Sequence, residues 1–400
     1  MSGSIDLESR VVSRVALLGR DYRAVNFELL CQPGDVVQAG AALMRDARRP
    51  AVRFTAPVSG KVAKIERGAR RKLISVQIDI DESAGVIRYE PPTTQDSATL
   101  RSFLLESGAW SSLRTRPFGN IPHPDAAPAA IFLTALDAEP QAPEPQPVIE
   151  ALMEEFSAAV NALAGISDAP LYVCHAPEHR LSFADSSQVC CVPFSGGHSV
   201  SLPGVHINAL CPIGFGGGEV WHIGYQDAIA LGHLLLHGSP WLERVVSIGG
   251  TAVKNPRSLR VYPGAAISEL LAGELDDGPA TILSGSELYG REHAAGEDFL
   301  AAGQRQITVQ RVAADLTSSD SAAGSGVLIP GETVEALSPP GIYPVPLMRA
   351  LQLGDAERAR ELGALELVEE DVALLSQACQ SGCDYGLLLR NVLDQLEALR

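Results

Sequence analysis

Two glycine-anchored units near the start of the chain limit its fold more than any other feature. Gln32-Pro33-Gly34-Asp35-Val36-Val37-Gln38-Ala39-Gly40 is the first, and Ala56-Pro57-Val58-Ser59-Gly60-Lys61-Val62-Ala63-Lys64-Ile65 the second. In each, glycine supplies a tight turn and the β-branched residues that follow start a strand. Val11 to Leu18 alternates loosely, and Phe27 to Cys31 is a second short apolar run. Leu73-Ile74-Ser75-Val76-Gln77-Ile78-Asp79-Ile80 alternates cleanly and closes a unit of short strands.

The paired pattern resembles the biotinyl/lipoyl-like barrel-sandwich domain, in which GDxVxxGxxL precedes APxxGxV. Carrier versions place a modified lysine on the hairpin between the halves. Here that interval, Met44 to Phe54, contains no lysine. The resemblance therefore implies a barrel used for packing, not a swinging arm.

From about residue 95 to 255 helical and strand patterns alternate, which implies an α/β domain with a largely parallel sheet. Phe103, Trp110 and Leu113 fall in helical phase, the loop Arg114 to Gly119 follows, and Ala129 to Leu136 reads as a buried strand. Ala138 to Pro147 is Pro-rich and expected to be extended and exposed. Leu152, Met153, Phe156, Val160 and Leu163 mark one face of a helix. Pro170 to Cys174, Val189 to Val192, Val205 to Cys211 and Arg244 to Ile248 read as strands, and Tyr225 to Leu236 as a helix ended by Gly238.

Beyond Arg257 the signals are a strand at Leu259–Tyr262, a helix at Ala266–Leu271 and strands at Ala280–Leu283 and Gln306–Gln310. Leu316 to Val327 is a polar linker, Ser338 to Gly341 is turn-rich, and the end of the chain is helical, with Asp355 as an expected N-cap. The predicted fold class is α+β multidomain. A barrel-sandwich domain spans 1–94, a Rossmann-like α/β domain 95–256, and a small β-grasp domain 257–312. A linker at 313–346 leads to a C-terminal helical domain at 347–400.

The net charge of −17 disfavours nucleic acid and anionic membrane surfaces as direct partners. No window approaches the roughly 18 uninterrupted apolar residues of a membrane helix. The N-terminus MSGSIDLESR lacks an apolar signal core. The expectation is a soluble cytoplasmic chain or a peripheral subunit whose membrane association is indirect. Seven scattered cysteines point to reduced thiols, not a disulfide framework.

Candidate chemistry is sparse. Gly214-Phe215-Gly216-Gly217-Gly218 follows an apolar run, but the third glycine of G-x-G-x-x-G would fall at Glu219, and Val220 to Ile223 reads as extended. His233 and His237 have a helical metal-ligand spacing with only leucine between them, so packing is the favoured reading and no metal is assigned. His175 and His179 are equally weak. Cys379 and Cys383 cannot supply the four thiolates of an iron–sulfur cluster. Arg114, Arg116 and Phe118 could clamp an anion or form an interface core, and are expected at a partner or ligand surface. No catalytic residue stands out.

Taken in order, VALLGRDY (15–22), the two half-motifs, LLESGAWSSLRTRPFGNIPHPDAAPAAIFLTALD (104–137), VWHIGYQDAIALG (220–232), RVVSIGGTAVKNPRSLRVYPGAAISELLAGEL (244–275), ILSGSEL (282–288), LMRALQLGDAERARELGALELVEEDVALLSQ (347–377) and YGLLLRNVLDQLE (385–397) resemble the NqrA family, the A subunits of the sodium-translocating NADH:quinone oxidoreductase. That resemblance implies a peripheral protein on the cytoplasmic face of the bacterial inner membrane. Its partners would be the other five subunits, B to F, some of them integral to the membrane. The complex would pass electrons from NADH to ubiquinone and export sodium, with FMN, FAD, riboflavin and iron–sulfur centres in other subunits and none on this chain.

The family is related to the C subunit of RNF-type complexes and to the flavin-binding subunit of complex I. Those relatives carry a glycine-rich loop near the position of Ser107 to Arg116, where this chain has bulky and basic residues. The alternatives are an autonomous flavin- or NADH-binding oxidoreductase and an RNF-type electron-transport subunit. Two departures from the family, a short start and a short polar 312–346 stretch, imply altered docking to the membrane subunits.

Overall fold

The computed structural model describes residues 7–179, 181, 183, 187–214, 218–292, 296–312, 328, 331–337 and 341–399. The expected linker at 316–327, Ser338–Pro340 and the centre of the 214–218 glycine run lie outside them.

The first unit is a sandwich of two small antiparallel sheets. Strands β1 (Arg14–Leu18), β3 (Val36–Val37), β6 (Gly60–Arg67) and β7 (Leu73–Ile80) form one, in the order β1-β7-β6-β3. Strands β2 (Phe27–Leu29), β4 (Ala42–Asp46) and β5 (Arg49–Thr55) form the other. Alternation puts Val76 and Ile78 of β7 with Val62 of β6 and Val52 and Phe54 of β5 in one core. Gly60 is obligatory at its turn, because a Cβ there would stand 2.1 Å from the Asp79 carbonyl oxygen. The β4–β5 hairpin is docked, not free. Arg49 ion-pairs with Asp46 at 2.7 Å and donates to the Ile121 carbonyl at 2.8 Å, and Thr55 lies against Gly108.

Helix α1 (Ser97–Glu106) opens the second unit, capped by the Asp96 carboxylate on the Thr99 amide. The expected continuous helix through Trp110 does not form. Gly108 turns left-handed at φ +79°, and a 3-10 turn at Ala109–Ser112 buries Trp110 edge-on against Trp221, with centroids 5.4 Å apart. The expected loop at 114–116 is an edge strand, β8 (Arg114–Arg116), antiparallel to β12 (Val220–Gly224). Strands β9 (Ile131–Ala135), β10 (Leu171–His175) and β11 (Val189–Pro193) run parallel to β12 in the order β11-β10-β9-β12.

Helices α2 (Pro145–Ala151) and α3 (Met153–Gly165) connect β9 to β10, while α5 (Tyr225–His237) follows β12 and packs on α3, and Gly238 closes α5 in the left-handed conformation. The Pro-rich segment is less extended and less exposed than its composition predicts. Pro145 begins α2, where its missing N–H costs nothing, and Glu139, Pro143 and Pro145 are buried. Val205–Cys211, expected as a strand, is largely helix α4 (Pro203–Leu210), with Pro203 in its first turn and Gly204 pressed against the Asp371 carboxylate.

The third sheet joins β13 (Arg244–Gly249), β14 (Arg257–Val261), β15 (Ala280–Ser284), β16 (Arg291–Glu292) and β17 (Gln306–Arg311) in the order β14-β13-β17-β15-β16, with the short helix α6 (Ile267–Leu270). Arg244–Ile248, grouped from its pattern with the α/β unit, pairs here instead. Periodicity finds such a strand but not its sheet.

The C-terminal helices α7 (Glu332–Ala336), α8 (Pro344–Leu353), α9 (Ala356–Glu361), α10 (Ala373–Ala378) and α11 (Tyr385–Ala398) do not stand apart. Asp355 caps α9 through the Arg358 amide, as expected. Phe132, Cys174 and Val220 point from one sheet face into a core with Leu347, Leu389 and Leu393, while Ile131, Leu133, Val173 and Ile223 point to the opposite core with α3 and α5. A parallel sheet needs both faces covered, and the C-terminal helices supply the second cover.

Candidate functional site

Where the four units converge they enclose a cleft of about 910 Å³. The barrel contributes Arg20 to Phe27 and the turn Arg70-Arg71-Lys72. The α/β unit supplies Ser111, Arg114, Arg116, Thr134, His222 and Gly224, the third unit Tyr289, Arg291 and Arg305, and the C-terminal helices Glu369, Glu370, Arg390 and Asp394.

The cleft reaches the carboxyl ends of β9 and β12. There the strand order reverses, with β10 and β11 on one side of β9 and β12 on the other, which is the switch point at which doubly wound sheets bind ligands. Arg305 fills that crevice. Its Nε meets Asp137 Oδ2 at 2.5 Å, the Asp137 side chain is fully buried, and Gly224 faces the same guanidinium. Gln306 donates to the Pro140 carbonyl at 3.0 Å and so ties the same corner to the third sheet. No spacing motif in the chain announces Arg305 or Asp137, which lie far apart in sequence.

The residues singled out from sequence separate. Arg116 is 1% exposed and bonds Asp371 at 2.8 Å and Glu370 at 3.1 Å. Phe118 is buried in the core shared with the C-terminal helices, and Arg390 holds its carbonyl at 3.0 Å. Both are interior residues, contrary to the surface position expected of them. They were drawn inward because α11 and the Glu369–Asp371 turn close over the loop, a long-range contact that local pattern does not carry. Both arginines line the cleft, but of the three residues only Arg114 stays partly exposed. It lies over the Tyr22 ring at 5.5 Å and donates to the Leu113 carbonyl at 3.0 Å.

Electrostatics follow from burial. Desolvation, with the neighbouring Asp371 and Glu369 charges, pushes the Glu370 carboxyl up to about 7 against the pull of Arg116. Burial, with the charges of Arg116 and Arg114, drives His222 well below its ordinary range, so it is neutral in this wall. Burial also raises the Tyr289 hydroxyl. Around them stand three cationic side chains, Arg70, Arg71 and Lys72, that are exposed and have no ion pair among the described residues.

The glycine run offers no phosphate cradle at its described end. The amides of Ile213 and Gly214 donate to the Glu366 carboxylate at 3.0 and 2.6 Å. An anion occupies the donors that a phosphate would need, and the segment leading in is α4, not a strand. Cys379 and Cys383 belong to a local network with Ser381, Gln352 and Tyr385. His175 bonds the neighbouring Ala176 carbonyl at 2.8 Å. Among the described residues, one His/Cys/Asp/Glu group has metal-ligand spacing: Glu155, His233 and His237. Its carboxylate comes from a different helix, so the spacing of the two histidines alone could not find it.

Three family profiles match successive parts of the chain. They are described as the NqrA N-terminal barrel-sandwich hybrid domain (residues 5–81), the NqrA second alpha/beta domain (95–240) and the NQRA C-terminal domain (245–295). Among curated proteins, the chain is 38% identical over 420 positions to the A subunit of the Na(+)-translocating NADH-quinone reductase of Klebsiella pneumoniae (strain 342), covering 96% of this chain and 94% of that one. It is 38% identical over 423 positions to the protein of the same name from Pseudomonas aeruginosa (strain UCBPP-PA14), covering 97% and 94%. The Yersinia pestis protein of that name is 36% identical over 420 positions, covering 96% and 94%.

Proposed function

Because the chain belongs to the NqrA family, the A subunits of the Na(+)-translocating NADH-quinone reductase, we propose that it serves that enzyme complex as a peripheral component carrying no redox cofactor of its own. It sits on the cytoplasmic face of the bacterial inner membrane, against the five other subunits of the complex. Flavins and iron–sulfur centres in those partners carry electrons to ubiquinone and drive sodium export. The four-unit cleft, with Arg114 at its wall, is the face presented to quinone or to a partner.

The observation that carries this reading is the Arg305–Asp137 pair at the switch point. A flavin phosphate entering there would have to displace the partly solvated guanidinium and leave a buried carboxylate uncompensated, at a cost of about 2–4 kcal/mol. At about 1.4 kcal/mol per tenfold, that weakens a nucleotide by roughly one to three orders of magnitude. Gly108, in the stretch where flavin-binding relatives carry a glycine-rich loop, is instead packed beneath Thr55 of the barrel hairpin. Among the described residues no helix is long and apolar enough to cross a membrane, which supports attachment through partners.

The purified chain should show no flavin or iron–sulfur absorbance and no NADH oxidation, and should bind neither FMN nor NADH at millimolar concentration. A stoichiometric flavin or cluster would sink the reading. In the assembled complex, a photoreactive quinone analogue should label peptides within 111–119 or 222–227. Labelling confined to other subunits removes the cleft as a quinone-facing surface.

A further inference from the structure

A second polar constellation lies away from the cleft, at the far end of α5. Asp227, near the start of that helix, faces the cleft, and His237 follows ten residues later, about 15 Å along the axis at 1.5 Å per residue. His233 and His237 are one turn apart and share a face.

Helix α3 crosses this end of α5 at unusually short range. A Cβ on Gly232 would stand 1.7 Å from the Glu155 carbonyl oxygen and 3.1 Å from the Ala159 amide nitrogen. Only glycine permits that approach, and it sets the first turn of α3 on the last turn of α5. Glu155, 2% exposed, thereby comes beside the histidines. Its Oε1 lies 4.0 Å from His233 Nδ1 and 3.9 Å from His237 Nε2, and the three donor atoms all fall within 4.8 Å of one another.

We propose that Glu155, His233 and His237 form a binding site for one divalent transition-metal ion, with zinc as its reference occupant. Two imidazoles and one carboxylate are a recurrent three-ligand set for such ions, with solvent at the fourth position. At bond lengths of about 2.0–2.1 Å, tetrahedral ligand atoms stand roughly 3.3–3.5 Å apart. Small side-chain rotations on a fixed backbone bring the observed spacings to that range.

Two further features favour a ligand over simple packing. His233 Nδ1 is buried with no hydrogen-bond partner, although a nitrogen that serves packing alone would be expected to find one. The His237 side chain is 41% exposed, which leaves a path for the ion and room for water. The site also lies at the carboxyl end of α5, where the helix dipole favours a cation. Arg88, which donates to the His237 carbonyl at 3.2 Å, places an opposing positive charge on the rim. The Glu155 carboxylate offsets it. Bound metal would clamp α3 to α5 independently of whatever occupies the cleft.

The test uses the full chain, stripped with chelator and titrated with Zn²⁺ and Co²⁺ by calorimetry and absorbance. One equivalent should bind and raise Tm, and Co²⁺ should give a nitrogen/oxygen spectrum without thiolate charge-transfer bands. His237→Ala and Glu155→Gln should each weaken binding by at least about a hundredfold and abolish the rise in Tm, with unchanged circular dichroism. The cysteines provide the competing site, so thiolate bands would overturn the proposal. Failure to bind either ion at micromolar concentration would do the same, as would unchanged affinity in both variants. Should His233→Ala fold poorly, the half-exposed His237→Ala still decides.

Discussion

The cleft holds two sets of cationic side chains that look alike in sequence and behave differently in the fold. Arg116 and Arg305 are tied to carboxylates of another unit, Asp371 and Asp137, whose side chains are almost entirely buried. Arg70, Arg71 and Lys72 stand exposed at the rim without ion pairs among the described residues. The inner pair binds the units to one another, so its charge is already spent on the fold. The rim residues leave theirs for something outside the chain. In a protein of net charge −17, that is where an acidic partner segment can approach.

The largest effect should come from Arg116→Ala. It leaves Asp371 buried and unpaired and costs about 3–5 kcal/mol, read as a fall in the denaturation midpoint. The C-terminal helices cover one face of the parallel sheet, so trypsin should then release them first. Unchanged stability would refute the assignment of Arg116 to the interior. Arg305→Ala should cost less, about 2–4 kcal/mol, because this guanidinium is partly solvated. It also sharpens the comparison from the functional side. If FMN binds the variant and not the parent, Arg305 is what closes the switch point.

How far the sequence announced this arrangement depends on the range of each contact. The barrel was legible because its evidence is local: Gly34 and Gly60 at turns, then strict alternation in Leu73–Ile80, which places Val76 and Ile78 in the core. Helix α5 was legible for the same reason, with its apolar face and Gly238 cap. Arg116 was noticed but misplaced, since its partners lie at Glu370 and Asp371 and no periodicity links them. Pro203 concealed α4, because a proline between apolar residues signals a break and a helix start alike. Glu155 went unnoticed beside His233 and His237 because only the helix crossing at Gly232 brings it there.

At the rim, the triple change of Arg70, Arg71 and Lys72 to alanine should alter stability by no more than about 0.5 kcal/mol. Arg70 and Arg71 adopt φ of +52° and +60°, and alanine keeps the same left-handed cost, so the backbone term cancels. The effect should appear in reconstitution with the partner subunits, as weaker assembly with a shallower dependence on salt. Assembly identical to the parent at low ionic strength would remove the rim from the docking surface.

The smallest effect concerns Glu370, which belongs to both sets: it faces the cleft yet shares Arg116 with Asp371. With Glu370 protonated, Arg116 and Asp371 form a one-to-one pair. Ionisation sets two carboxylates against one guanidinium, beside Glu369, which Arg390 holds at 2.6 Å. Burial and these neighbours raise the folded pKa to about 7, above the ordinary value of 4.5. The stability this group contributes is therefore complete below about pH 4.5 and is lost as pH rises through about 7. The buried histidines have the opposite sign. His206, lowered to about 4 chiefly by desolvation, loses stability only as pH falls below its ordinary 6.5. Across the window from pH 6.5 to 8 the histidine contribution is common to the parent and to Glu370→Gln, so the difference between the two isolates Glu370. Across it the Tm of the parent should fall relative to that of Glu370→Gln, with the two curves meeting toward the acidic side. Because Glu370 is about a third exposed, solvent screens the effect and the difference should be modest. Parallel curves would mean that Glu370 is ionised throughout, and that Arg116 serves two carboxylates at once.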